Sequence, residues 1–303
     1  MIKYKKVRRC AFCAVKEDDI LQKLKRVAAI HDISGFGKCS LTVALPIISA
    51  MGIETSVIPT AVLSTHTGGF TDFTYRDLTG DMRPIAKHWK SLGIEFDAVY
   101  SGFLGSFEQI DIVRDFIKDF RRDGTVVLVD PAMADGGTMY SVFDMDFARK
   151  MTELCAEADI IVPNFTEAAF ILGEEYIPAP YTRDYVENTL KKLSDLGPSK
   201  VVLTGVAFDG SEVGTASYDR TSGEISYALA PTVEGFYHGT GDVYASALLG
   251  AYLNGKTLAD SARIAVDFTR GSILRTKQAG TDVRYGVDFE HGIPELLRAA
   301  GII

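Results

Sequence analysis

Short runs of apolar, often β-branched residues alternate along most of the chain with longer segments whose apolar positions recur every three or four residues. The runs at 27–30, 55–59, 98–101, 126–129, 160–162 and 201–203 predict strands. Between them, 41–51, 84–92, 109–120, 142–155 and 183–196 predict amphipathic helices. Strands that are apolar at nearly every position need cover on both faces, and a helix between consecutive strands permits parallel pairing. The pattern is therefore that of an α/β fold, a mostly parallel central sheet with helices on both faces. After Thr204 two polar-alternating strands, 213–218 and 225–229, flank Asp219-Arg220-Thr221-Ser222-Gly223 and predict a β-hairpin. Helices resume at 240–253, 257–276 and 293–299.

Neither a repeat nor a linker interrupts residues 27–303, which predicts a single domain there. Residues 1–26 differ. They carry Lys3, Lys5, Lys6, Arg8, Arg9, Lys16, Lys23, Lys25 and Arg26 with little apolar pattern, and read as a solvated basic N-terminal extension rather than a binding tail.

With 47% hydrophobic and 24% charged residues the chain can bury a sizeable core, which excludes disorder and collagen-like architecture for most of its length. The net charge of −8 argues against nucleic-acid or anionic-membrane binding through a broad basic surface, but leaves room for a small anionic ligand in a local site. No run of about 18 apolar residues occurs, and the first residues lack the apolar core of a signal peptide, so a cytoplasmic protein is expected. Cys10, Cys13, Cys39 and Cys155 make no disulfide framework. The lone Cys10-x-x-Cys13 pair lacks the second pair that a zinc site needs.

Ligands of open parallel sheets lie beyond the carboxyl ends of the strands. Polar or glycine residues follow all six predicted strands: Asp32 with Ser34, Thr60, Gly102-Phe103, Asp130, Asn164 with Glu167, and Thr204-Gly205. Each alone reads as a cap or turn former; together they indicate one sheet edge. The most specific segment is His238-Gly239-Thr240-Gly241-Asp242, which leads into a strongly apolar helix. Small residues at a helix N-terminus leave backbone N–H groups free for an anion, so the segment reads as a phosphate cradle. Asp242 there is either a carboxylate that complements the helix dipole or a base for a hydroxyl attacking a phosphoryl group. Residues 250–257 also fit G-x-x-x-x-G-K-[ST], but that motif requires a loop between strand and helix. Here Gly250 falls within a helix, Asn254-Gly255 reads as its stop, and Thr257 with Asp260 as the next helix's capping box.

From about residue 27 onward the chain resembles the vitamin B6 (pyridoxal, pyridoxine and pyridoxamine) kinases of the ribokinase superfamily. The resemblance rests on Gly239-Thr240-Gly241-Asp242, on Ser64-Thr65-His66-Thr67-Gly68-Gly69, on Asp130-Pro131-Ala132-Met133 and on Pro163-Asn164-Phe165-Thr166-Glu167, in that family's order. It implies a ribokinase-like fold, a homodimer, ATP with Mg²⁺, and phosphoryl transfer to the 5′-hydroxymethyl group of a B6 vitamer. It assigns Asp242 as the base and the backbone of Gly239, Thr240 and Gly241 as the anion hole. Asp130 and Glu167 then hold Mg²⁺ through water. Asn164, Thr204, Gly205 and His238 fall on the nucleotide side, with 230–238 as a lid, while Asp32, Ser34, Thr60 and Phe103 surround the ring. Two positions depart from the family. Asp32 replaces its usual Ser and makes Asp32-Ile33-Ser34-Gly35 similar to a loop of the hydroxymethylpyrimidine (phosphate) kinases of thiamine synthesis. Phe103 stands where many pyridoxal kinases carry Tyr. The alternatives are thus that kinase activity or, from another class, a non-catalytic vitamin-binding protein, against which the intact base, anion hole and acidic pair count.

Overall fold

The structure, a computed structural model, describes residues 24–303. Most of the basic extension and the Cys10–Cys13 pair lie outside the described residues. The first half of the chain forms β1 (Arg26–Ser34), α1 (Leu41–Ala50), β2 (Glu54–Leu63), β3 (Tyr75–Asp77), α2 (Thr79–Ser91), β4 (Ala98–Ser101), α3 (Phe107–Phe120) and β5 (Val126–Val129). A small hairpin, β6 (Ala134–Asp135) and β7 (Thr138–Met139), precedes α4 (Met145–Ala156), β8 (Ile160–Ile161), α5 (Phe165–Leu172) and α6 (Arg183–Asp195). The chain then makes β9 (Lys200–Val206), β10 (Glu212–Asp219), β11 (Glu224–Pro231), α7 (Thr240–Leu253), α8 (Leu258–Ala279) and α9 (Ile293–Ala300).

One nine-stranded sheet has the order β11-β10-β9-β8-β5-β4-β1-β2-β3. The run from β9 to β2 is parallel, while β3 at one edge and the β10–β11 hairpin at the other are antiparallel. The fully apolar strands resolve into two faces with the two-residue period of the pleat. Ala28, Ile30, Val99, Val127, Ile161 and Leu203 pack toward the layer of α2 to α6. Val27, Tyr100, Leu128, Ile160 and Val202 pack toward α1, α7, α8 and α9. After β2 the chain crosses back over β1 to form β4 on its other side. The winding reverses between β1 and β4, and connections diverging there open a crevice at the strands' carboxyl ends.

The structure differs from the pattern at several points. β1 and β2 run past their apolar stretches to Ser34 and Leu63, because an irregularity between His31 and Ile33 lets their pairing continue. Asp32, Ser34 and Thr60 are therefore strand residues rather than loop residues. α2 starts at Thr79 with Pro84 inside it, and α4 starts after Asp144, whose carboxylate accepts the Phe147 N–H at 2.9 Å. The helix α5 and the strands β3, β6 and β7 are too short to carry a periodicity. Residues 250–253 are the last of α7, and 254–257 join it to α8. Thr257 Oγ accepts the Asp260 N–H at 3.1 Å and caps α8. Among the described residues no helix is long and apolar enough to cross a membrane.

Candidate active site

A cleft of about 740 Å³ opens at the carboxyl edge of the sheet, within the range that small-molecule sites occupy. Its walls carry Asp32 and Ser34 from the end of β1, Phe103 after β4, Asp130 after β5, Asn164 and Glu167 from the start of α5, Thr204 and Gly205 from β9, and His238 to Asp242 from the start of α7. The sheet thus brings together every sequence-predicted site residue but one. Thr60 is absent from the wall. It is fully buried, its hydroxyl donating to the Phe103 carbonyl at 3.4 Å and its own carbonyl accepting from Gln109 Nε2 at 3.0 Å. The extra length of β2 draws it into the sheet, where it backs Phe103 and stays off the cleft wall.

The N-terminus of α7 is the most constrained part of the site. Gly239 is its N-cap at φ 74°, and a Cβ there would sit 1.9 Å from the Lys38 carbonyl oxygen, so only glycine fits. That contact presses the 35–40 loop against the helix terminus, where the first N–H groups have no partner within the helix and the dipole favours an anion. Asp242, in the first turn, accepts the Ser40 N–H on Oδ2 at 2.8 Å. Burial raises its carboxyl to about 7; the Ser40 bond opposes the rise and neighbouring Asp32 adds to it. Asp32 is 4% exposed and accepts from Ser34 Oγ at 3.0 Å. Burial raises its carboxyl too, against hydrogen bonds from Ser40 and Ser34.

Asp130 and Glu167 form an acidic pair across the cleft floor. Glu167 accepts the N–H groups of Asn164 at 2.9 Å and Met133 at 3.2 Å, while Asn164 Oδ1 accepts the Glu167 N–H at 2.9 Å, a reciprocal capping box. Burial first, and then their mutual charge for Glu167 or the charge of Asp242 for Asp130, push both carboxyls up. Among the described residues no group of three or more His, Cys, Asp or Glu side chains is disposed to hold a metal ion by itself. The pair still fits Mg²⁺, which keeps several waters and takes one or two carboxylates with substrate phosphates. Asp130 is a half-buried carboxylate with no cationic partner among the described residues, and Glu167 retains acceptor capacity beyond its backbone bonds.

Three loops close the mouth. His66 accepts the Gly68 N–H on Nδ1 at 3.0 Å and donates from Nε2 to the Arg284 carbonyl at 2.6 Å, which fixes the neutral ring in one tautomer. His238 packs on it at 5.0 Å between ring centroids, and burial followed by the charge of His66 lowers its pKa. Ala230, Pro231, Val233 and Phe236 line the cleft beside Val213 of β10, so the segment expected as a lid does border the site.

Other wall residues escaped the sequence reading. Asp135 comes from the β6–β7 hairpin, for which Asp135-Gly136-Gly137 was the available turn signal, and Tyr140 and Ser141 from the residues just after it. Burial, then Glu167 and Asp135, hold the Tyr140 phenol far above its ordinary value, so it is a donor. Ser40 and Cys39 face the cleft from the loop after β1. Arg270 of α8 lines it as well, with Nε donating to the Pro231 carbonyl at 2.9 Å. A mid-helix arginine gives no signal in sequence.

Residues 45–286 match the phosphomethylpyrimidine kinase family. The chain belongs to that family. Among relatives of this phosphomethylpyrimidine kinase family member, the hydroxymethylpyrimidine/phosphomethylpyrimidine kinase of Aquifex aeolicus is 29% identical over 59% of this chain and 68% of its own. A Bacteroides thetaiotaomicron protein described as a phosphomethylpyrimidine kinase, in a crystal form with pyridoxal, superposes with TM-score 0.86 at 38% identity, over 90% of this chain and 96% of its own. Pyridoxal kinase of Lactobacillus plantarum gives TM-score 0.84 at 29% identity, over 91% and 98%. The family member is an ATP-dependent kinase that acts on an alcohol group.

Proposed function

We propose that the chain uses ATP to phosphorylate the 5′-hydroxymethyl group of a vitamin B6 vitamer, pyridoxal, pyridoxamine or pyridoxine, with residues 27–303 acting as one domain and the protein working as a cytoplasmic homodimer. The observation that carries the vitamer is the 38%-identical relative crystallised with pyridoxal. The base, the anion cradle and the acidic pair on one cleft wall support turnover over passive vitamin binding.

In this reading Asp242 takes the proton from the acceptor hydroxyl as its oxygen bonds to the γ-phosphorus and the bond to the ADP oxygen breaks. Its raised pKa suits the task, since a general base works best near the operating pH. The N–H groups that Gly239, Thr240 and Gly241 present at the head of α7 receive the charge on the transferring group. Asp130, with Glu167 through water, would hold Mg²⁺, which when bound neutralises phosphate charge. Tyr140 and Arg270 bring donors to the nucleotide side, near Asn164, Thr204, Gly205 and His238. Phe103 flanks the ring, braced by Phe143 at 5.5 Å.

The acceptor ring meets Asp32, a buried carboxylate that receives Ser34 Oγ on one oxygen and has room for a further donor from a ligand. Pyridoxamine brings an aminomethyl group and a hydroxymethylpyrimidine an exocyclic amine, whereas pyridoxal brings an aldehyde that only accepts. Asp32 and the family match therefore favour a second reading, a hydroxymethylpyrimidine (phosphate) kinase. Following ADP release with pyridoxal, pyridoxamine, pyridoxine and the aminopyrimidine in separate reactions tests both. Turnover of the aminopyrimidine alone would overturn the vitamer assignment, and no turnover with any would overturn both.

A further inference from the structure

Gln109 stands in the first turn of α3, on a face otherwise filled by Ile110, Ile112, Val113 and Phe116, and is itself fully buried. Its place, three residues after the N-cap Ser106, is that of the returning half of a capping box, in which Gln or Glu accepts the N-cap N–H. The forward half is made, with Ser106 Oγ accepting the Gln109 N–H at 3.2 Å. The returning half is diverted: Gln109 Oε1 accepts the N–H of Gly105, one residue further out, at 2.7 Å. The box of α5 shows the ordinary form, with Glu167 accepting the N–H of its N-cap Asn164 at 2.9 Å.

The other end of the amide leaves the helix. Nε2 donates to the Thr60 carbonyl of β2 at 3.0 Å and to Thr79 Oγ at the start of α2 at 2.9 Å. These partners fix the amide's orientation, since the Thr60 carbonyl only accepts and the Gly105 N–H only donates. Three segments therefore meet on one side chain: the turn 102–106, β2 and the start of α2. The turn carries Phe103, whose carbonyl accepts the Thr60 hydroxyl at 3.4 Å and whose ring lines the cleft, 5.5 Å from that of Phe143. Leu104 buries the middle of the turn in the core, but apolar burial is non-directional and does not fix how the turn is rotated. A leucine at 109 would serve the core equally well; the amide adds a directional tie from the turn to β2 and α2.

We infer that Gln109 is a positioning residue for the acceptor: through the turn 102–106 it sets where the Phe103 ring meets the ring of the substrate. The inference rests on the placing of Phe103 beside the acceptor under the proposed function. Gln109 itself is not on the cleft wall and acts from behind it. Without its tie the turn keeps Leu104 in the core but loses its fixed spacing from Thr60, and Phe103 gives up its contact with the acceptor. The nucleotide side, built on β9, α5 and the head of α7, is left as it is.

The test is a double-mutant cycle of Gln109→Met and Phe103→Ala, read by calorimetric titration with pyridoxal, the hydroxymethylpyrimidine and a non-hydrolysable ATP analogue. Methionine keeps the length and apolar stem of glutamine and makes none of its three amide bonds. Each single variant is expected to weaken the acceptor that wild type binds more tightly by about threefold to tenfold, the size of one aromatic contact, and to leave the ATP analogue within about twofold. Added to Phe103→Ala, Gln109→Met is expected to weaken acceptor binding by no more than about a further twofold, because its effect passes through that ring. Gln109→Glu keeps an acceptor for Gly105 but sets an oxygen against the Thr60 carbonyl; it carries the same expectation and replaces Gln109→Met where that chain does not fold. A change in acceptor affinity below about threefold in either single variant overturns the inference, as does a full multiplication of the two losses in the double variant, or an equal loss of the ATP analogue. Titration needs no turnover, so a wild type that binds an acceptor without phosphorylating it counts against the proposed function and leaves the cycle readable. A wild type that binds neither acceptor overturns both.

Discussion

Replacing Asp242 by Asn separates what the carboxylate does for the reaction from what it costs the fold. The amide oxygen can still accept the Ser40 N–H that now bonds Oδ2 at 2.8 Å, so the side chain keeps its place and loses its basicity. General bases contribute about 10²-fold or more, so kcat is expected to fall by at least that factor, about 2.7 kcal/mol of barrier, with nucleotide and vitamer affinity little changed. Stability should move the other way. The Asp242 carboxyl titrates at about 7 in the folded protein against 3.8 ordinarily. A carboxyl with a raised folded pKa stabilises fully below 3.8, and that stabilisation is lost as pH rises through about 7. Above pH 7 the wild type therefore carries a penalty whose ceiling, at about 1.36 kcal/mol per unit, is about 4 kcal/mol. Asn bears no charge at any pH and escapes it. Urea unfolding at pH 5 and pH 8 should find Asp242→Asn gaining on wild type as pH rises, while ADP release collapses. A variant that turns over within a few-fold of wild type, or gains no relative stability between those pH values, would refute both the base assignment and the burial argument.

Gly239→Ala should lower kcat/KM by about tenfold or more and destabilise by roughly 1 to 2 kcal/mol from φ alone, since its Cβ meets the Lys38 carbonyl; unfolding curves and ADP release measure both. Lys256→Ala should leave the KM for ATP within about twofold, because Lys256 sits in a helix-joining turn outside the cleft wall, and a large rise would revive the phosphate-loop reading. Hydrogen exchange over residues 230–238 should slow when a non-hydrolysable ATP analogue is added, and unchanged exchange would remove the lid. The acid limb of kcat/KM should carry an apparent pKa near 7 set by Asp242, absent from the residual activity of Asp242→Asn.

The architecture was legible because six runs of buried apolar residues and the helices between them repeat one unit, and because polar residues follow each run. The cleft-lining residues most legible in sequence were those whose local pattern is peculiar, Gly239 to Asp242 above all. Thr60 misled because an apolar stretch marks where a strand is buried, not where its hydrogen bonding ends. Ser40 and Arg270 were invisible for opposite reasons. A serine before a helix reads as a cap, although Ser40 makes no capping bond and instead faces the cleft, and an arginine on an amphipathic helix reads as solvated until tertiary packing turns it toward a cleft. The α5 helix was hidden by its length, eight residues, though its capping box supplied two of the site residues.

The β10–β11 turn, residues 220–223, lies at the rim of the sheet opposite the cleft, where Lys200 begins β9 and pairs with Asp219. A cut there divides the chain so that Asp32, Asp130 and Glu167 stay on one fragment and Gly239 to Asp242 go with the other, and neither piece holds a complete set of phosphoryl-transfer groups. The antiparallel ladder from Glu212↔Pro231 to Asp219↔Glu224 would rejoin them without a covalent link. The fold therefore contains a natural seam for a two-fragment enzyme, in which phosphorylation reports the reunion of the halves and new termini or an inserted sensor domain stand as far from the chemistry as the sheet allows.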